Sequence, residues 1–338
     1  MNQNNQMKQR KPFFIPIILV CFLFNACNAQ PQKNSLKLIA TIPLPNVSGR
    51  IDHLSFDHKR QIIFVAALGN NTVEVVDLKN KKVIHTIKDL HEPQGVAFIP
   101  ENNSIFVANG DNGECDIFNA DSFQKITAIK LPGDADNVRY DAADKKIYVG
   151  YGNGGIAIID ATTFKLITEI KLSGHPESFQ IDKSAKKIYV NVPDEKQIEI
   201  IDLEKNIVTD TWKMTEATSN FPMALDETNH RLFFGCRHPA KLLIIDTQTG
   251  KTISSFSTDN DADDIFYNRG SKEIYLSCGG GYIDVFKQTD ANTYAANGKV
   301  STHPGARTSL FIPELNQLIV ASPSGLNSNH SLLIYDIK

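Results

Sequence analysis

Lys146-Ile147-Tyr148-Val149-Gly150-Tyr151-Gly152-Asn153-Gly154-Gly155-Ile156-Ala157-Ile158-Ile159-Asp160 holds two runs rich in Ile, Val and Tyr around a turn of Gly and Asn. Such runs read as strands and the Gly-Asn-Gly between them as a hairpin. The pattern returns as Lys187-Ile188-Tyr189-Val190, followed by Ile200-Ile201-Asp202. Outward from there, an apolar pair ending in a polar turn residue recurs at Val75-Val76-Asp77, Ile117-Phe118-Asn119, Ile158-Ile159-Asp160, Ile200-Ile201-Asp202, Ile244-Ile245-Asp246, Val285-Phe286-Lys287 and Ile334-Tyr335-Asp336. An upstream anchor accompanies each copy, from Ile63-Phe64-Val65 through Ile105, Ile147, Ile188, Leu232 and Ile274 to Leu318-Ile319-Val320. Both series count seven, and a fixed period of this length marks a propeller or solenoid.

In the first copy the strand-like runs are Ile51–Phe56, Ile62–Leu68, Thr72–Asp77 and Val83–Lys88, one four-stranded antiparallel sheet. The last copy supplies three, near Thr308–Ile312, Gln317–Ala321 and Ser331–Ile337, while a spare run stands at Leu36–Leu44. Pairing the spare run with the last sheet closes the ring and removes the open edges of a linear array. The expected fold is all-β, a seven-bladed β-propeller over residues 36–338, its ring closed by the N-terminal strand.

The first 26 residues read as a signal peptide: Lys8, Arg10 and Lys11 precede the apolar run Phe13–Phe24, with Ala26 and Ala29 after it. The run is shorter than the ~20 residues of a bilayer span. Phe24-Asn25-Ala26-Cys27 resembles a lipoprotein box, which makes Cys27 the lipidation site, and Cys27-Asn28-Ala29 before Gln30 also suits ordinary signal peptidase. Residues 27–35 then form a linker. Export to the periplasm or the outer membrane is expected, with contact to the membrane through a lipid anchor alone and the chain acting as a monomer. The net charge of −3 carries no clustered basic surface, which argues against nucleic-acid binding. Cys115, Cys236 and Cys278 fit no zinc or haem spacing, and free thiols are expected. Without a P-loop, GxSxG, HExxH or CxxCH there is no warrant for nucleotide, serine-hydrolase, zincin or haem chemistry.

The copies Lys146-Ile147-Tyr148-Val149 and Lys187-Ile188-Tyr189-Val190-Asn191 resemble the YVTN repeat of bacterial YncE-like propellers. The resemblance spans residues 36–338 and implies the fold. Members of that superfamily include surface proteins, electron-transfer partners and enzymes, so it implies no single chemistry.

In a propeller the first strand of each blade lies nearest the axis, and the loops entering these strands converge on one face. Counting back ten and eleven residues from each second-strand anchor gives Asp52-His53, Gln94-Gly95, Asp136-Asn137, Glu177-Ser178, Phe221-Pro222, Asp263-Asp264 and Arg307-Thr308. Slightly further out stand Arg50, Glu92, Asp134, His175, Asn220 and Asp261, and the loops after the second strands add Asn70, Asp111, Asn153, Arg237 and His238. Turn chemistry explains Asp and Asn singly. It does not explain why equivalent positions differ from blade to blade, which a site around one asymmetric ligand requires. Arg50, Asp52, His53, Gln94, Asn137, His175, Glu177, Asn220, Arg237 and Arg307 are therefore the expected ligand-binding residues. So many carboxylates also suggest a divalent cation, calcium or magnesium, on Asp136, Glu177, Asp263 and Asp264. Three functions stay open. The first is an envelope protein binding a small polar ligand or a protein partner at this crown. The second is a metal-dependent hydrolase or lyase of the lactonase or streptogramin-lyase kind, with His53, His175 or Glu177 moving a proton. The third is an assembly scaffold that works through its outer surfaces.

Overall fold

The computed structural model describes Met1 and residues 35–323 and 329–338. The signal segment, Cys27 and nearly all of the linker lie outside the described residues. Seven four-stranded antiparallel sheets form the propeller, six of them taken in chain order from the innermost strand outward. In blade one the strands are Leu54–Asp57, Ile62–Ala67, Thr72–Asp77 and Lys82–Ile87, within a few residues of the runs read from sequence. Blade seven is completed as expected. Leu36–Pro43 pairs antiparallel with Ser331–Ile337, and the sheet runs on through Gln317–Ser322 to Ser309–Ile312.

The core lies between blades. Second strands such as Ile62–Ala67 are buried along their whole length, because both faces of a blade pack against a neighbour. Seven apolar clusters follow, one at each junction. Tyr148, Ile156 and Ile158 of blade three meet Phe179, Ile188 and Val190 of blade four. At the closing junction, Ile42 and Ile334 of blade seven meet Ile63 and Val76 of blade one.

The polar residue ending each repeat anchor has a local duty. The carboxylate of Asp160 accepts the backbone N–H groups of Thr162 and Thr163 at 3.0 and 2.7 Å, and Asp246 accepts those of Gln248 and Thr249, both at 2.9 Å. Such turns satisfy donors that the hairpin leaves unpaired, which is why the sequence repeats there. Cys115, Cys236 and Cys278 are buried free thiols. Burial pushes all three above the ordinary thiol range. Trp212 lies on the outer strand Ile207–Lys213 and packs on Tyr189, at 5.5 Å between ring centres.

Candidate functional site

The innermost strands run Leu54–Asp57, Pro93–Ile99, Ala135–Asp141, Phe179–Asp182, Thr218–Asp226, Ala262–Asn268 and Ser309–Ile312. Where the chain enters them, pairing with the second strand breaks. Register shifts fall between Pro93 and Val96, Ala135 and Val138, Asn220 and Met223, and Ala262 and Asp264. The skipped residues are Gln94-Gly95, Asp136-Asn137, Phe221-Pro222 and Asp263, which are positions found by counting back. In the other blades the strand proper starts just after the corresponding pair. There Ala66, Asn191 and Ala321 donate to the carbonyls of His53, Ser178 and Thr308 at 3.0, 3.1 and 2.9 Å. A bulge releases residues from strict alternation and re-aims them, so two adjacent side chains in one blade can both face the axis. Gly95 has no room for a side chain, since a Cβ there would stand 2.0 Å from the Asp136 carbonyl oxygen.

All seven blades contribute to a cavity of about 260 Å³ at this end of the axis. Arg50, Asp52 and His53 come from blade one, Gln94 from blade two, and Asp134, Asp136 and Asn137 from blade three. His175, Glu177 and Ser178 come from blade four, Phe221 and Arg237 from blade five, Asp263 from blade six and Arg307 from blade seven. Nine of the ten expected ligand-binding residues are thus brought together. Asn220 is not among them. It is fully buried and donates to Asn191 Oδ1 at 2.7 Å and to the Gln197 carbonyl at 3.2 Å, stitching blades four and five.

Most charges in the crown are already paired. Arg237 lies with its guanidinium carbon 3.7 Å from the Phe221 ring centre and donates to Asp263 Oδ1 at 2.6 Å. Arg307 donates to both oxygens of Asp261, at 3.0 and 2.7 Å, and its Nε stands 2.9 Å from Asp263 Oδ2. Two arginines and two aspartates thereby close a quartet. Arg50 donates to Asp52 at 2.6 Å, and Gln94 to Asp134 at 2.9 Å. His175 Nδ1 is 2.7 Å from the Gly152 carbonyl oxygen, and its Nε2 is 3.9 Å from Asp136. His53 sits deeper, with Nε2 3.2 Å from Asn137 Nδ2 and Nδ1 3.8 Å from Asp264. Glu177 differs: its carboxyl has no hydrogen-bond or ion-pair partner among the described residues.

Of the four carboxyls expected to hold a cation, Asp136, Glu177 and Asp263 line the crown cavity. Asp263 belongs to the arginine quartet, and Asp264 faces a lower cavity of about 320 Å³, where it accepts the Ser309 N–H at 2.7 Å. Among the described residues no group of three or more His, Cys, Asp and Glu is placed to hold a metal ion.

Crowding and burial displace the proton equilibria. Burial and the nearby Asp136 push Glu177 up to about 8, with His175 opposing. Burial works against charge on His175, but Asp136, the Gly152 carbonyl, Glu177 and Asp134 outweigh it and raise the imidazole to about 9. Burial lifts Asp263 to about 6 against the pull of Arg307, and Asp264 to about 7 against His53. Near neutral pH the crown therefore holds a protonated carboxyl, Glu177, close to an imidazolium, His175. Such an array can donate and accept hydrogen bonds and can exchange a proton with a bound molecule.

Two residues of the channel escaped the sequence reading. Arg139 and Gln180 line the lower cavity. Each stands two residues beyond a crown position, Asn137 or Ser178, on the same strand face, and that periodicity was the available signal.

No protein-family model matches the chain, and no curated protein matches it in sequence. Solved structures match in shape. A chain of Kuenenia stuttgartiensis hydrazine synthase is 14% identical with a TM-score of 0.74, covering 86% of this chain and 98% of that one. A chain of the mitotic checkpoint complex is 14% identical with a TM-score of 0.77, covering 96% of this chain and 99% of that one. At this identity the likeness extends to the propeller fold alone.

Proposed function

We propose that the chain is an exported binding protein whose crown takes one small polar organic molecule bearing a hydrogen-bond donor, a hydroxyl or an ammonium group. One observation carries this reading: in a cavity walled by closed ion pairs, Glu177 has no partner among the described residues. Glu177 is half-buried and its carboxyl faces the cavity, so a ligand donor can take the place of water on it. Because the surrounding charges largely cancel in pairs, a neutral or zwitterionic molecule fits better than a multiply charged ion.

The test is a calorimetric and melting screen of residues 33–338 against amino acids, amino sugars and polyols. One class should bind, and Glu177→Ala, which removes the acceptor, should weaken it several-fold or more, the worth of a hydrogen bond. An ammonium ligand should draw the proton from Glu177, so the heat should vary with the ionisation enthalpy of the buffer. If no class binds, or if Glu177→Ala binds as well as the wild type, the reading fails. The same melts, repeated after chelation with calcium, magnesium, manganese or zinc, address the metal-dependent hydrolase or lyase. A rise of several degrees that vanishes in Asp136→Ala would put a cation in the crown, and turnover of lactone or lyase substrates would then separate the enzyme from the binding protein.

The Tyr-Val repeats support kinship with the YVTN propellers, and the basic-apolar N-terminus supports export with anchorage at Cys27. Cells fed labelled palmitate should label the wild-type chain and not Cys27→Ser. Equal labelling of both would remove the anchor.

A further inference from the structure

The channel does not end at the crown. Below the cavity shared by His53 and Asp264, the opposite mouth opens into a larger cavity of about 850 Å³. Its wall comes from the innermost strands of blades seven, one, two and three and is mainly apolar: Leu54, Val96, Phe98, Val138, Leu310 and Phe311. The inner end is different. Arg139 lines both this cavity and the one above it.

Arg139 is unusual among the arginines of the channel. Arg50, Arg237 and Arg307 each lie against a carboxylate, whereas Arg139 has no carboxylate within ion-pair distance among the described residues. Its guanidinium donates to the Val138 carbonyl at 3.0 Å and to Ser178 Oγ at 3.1 Å and leans over the Phe179 ring at 5.5 Å. A guanidinium has five N–H donors in a planar fork, so three are unfilled. Burial lowers the pKa of the group, and Asp264 and Asp136 offset that only through space. A cation held away from bulk water with most of its donors unfilled, where this largely apolar cavity meets the one above it, is complementary to a carboxylate on an apolar body.

We propose that this second mouth binds a small amphipathic carboxylate, its acid group on Arg139 and its apolar chain or ring against Phe98 and Phe311. At the outer rim Arg60 is held by Asp57 and Asp121 and His58 stands 3.3 Å from Glu314, while Lys59, the remaining basic residue of the lining, is exposed to solvent, where pairing with an acid is worth little. The site is separate from the crown and does not depend on what the crown binds.

Titration calorimetry of residues 33–338 with sodium decanoate, decan-1-ol and 2-naphthoate tests it. Decanoate should bind at micromolar to low millimolar concentration and decanol roughly 10- to 100-fold more weakly, the range for hydrogen bonds to a charged partner. Arg139→Gln should bring decanoate down to the level of decanol while keeping the wild-type melt within a few degrees. Glu177→Gln at the crown should leave decanoate binding unchanged. If decanoate does not bind, binds no better than decanol, or is indifferent to Arg139→Gln, the proposal is overturned. Should Arg139→Gln fail to fold, Phe98→Asp substitutes for it. That variant must weaken decanoate and 2-naphthoate together, and unchanged binding of either overturns the proposal.

Discussion

A chain starting at residue 46 should not fold cooperatively, whereas one starting at Lys33 should. The difference is the closing strand. Leu36–Pro43 carries the outer edge of blade seven through seven registered pairs with Ser331–Ile337. Ile42 and Leu44 are buried in the junction between blades seven and one. Losing a buried Leu or Ile side chain typically costs about 2–5 kcal/mol. Removing both, with a full ladder of hydrogen bonds, approaches the roughly 5–15 kcal/mol that holds a whole domain together. The truncated chain should show a broad melt, bind a hydrophobic dye and aggregate through the bare edge of Ser331–Ile337. A synthetic peptide of residues 35–45 should restore a sharp transition in part. A truncated chain melting within about 3 °C of the longer one would show that the ring holds without its clasp.

The second large effect is a stability that falls with rising pH and is flattened by Glu177→Gln. The ordinary glutamate value is near 4.3, and in the folded crown Glu177 stands at about 8. Between those values the unfolded chain has lost a proton that the folded chain keeps, so raising the pH favours unfolding. His175, raised to about 9, acts in the same direction. Its contribution is full below about 6.5 and is lost as pH rises through 9. A tenfold change in proton affinity is worth about 1.4 kcal/mol. The Glu177 contribution between pH 5 and pH 8 is then on the order of 2–4 kcal/mol, or roughly 5 °C or more in Tm. Glu177→Gln carries no such penalty, so at pH 8 it should melt higher than the wild type, as expected where a site keeps a strained group for function. Equal Tm slopes for variant and wild type from pH 5 to 8 would place the titrating group elsewhere.

Much of the fold was legible because the repeat is written in positions that obey local rules. Asp160 and Asp246 cap turns and recur for that reason, and the buried second strands recur as Ile-Tyr-Val or its equivalents because each lies between two neighbouring blades. The spare run Leu36–Leu44 announced the closure because a sheet short of one strand needs a partner. The crown was legible as a set of positions, since counting from the anchors lands on the bulged pairs whatever residues fill them.

The sequence by itself determined the number of blades, their strands and the ring of positions that meets at the axis, because each follows from the period, alternation and turn chemistry of a repeat of about forty residues, and it determined the closing clasp because the last repeat is one strand short. Only the tertiary structure decided the partners. Asp263 is taken by Arg237 and Arg307, Asn220 withdraws into the seam with Asn191, Asp264 turns to the lower cavity, and Glu177 and Arg139 are left without an ion-pair partner among the described residues. The physical reason is distance across the ring. Side chains far apart in sequence meet at the axis, where bulges set their direction and the neighbouring blade sets their charge environment, and no local pattern encodes either.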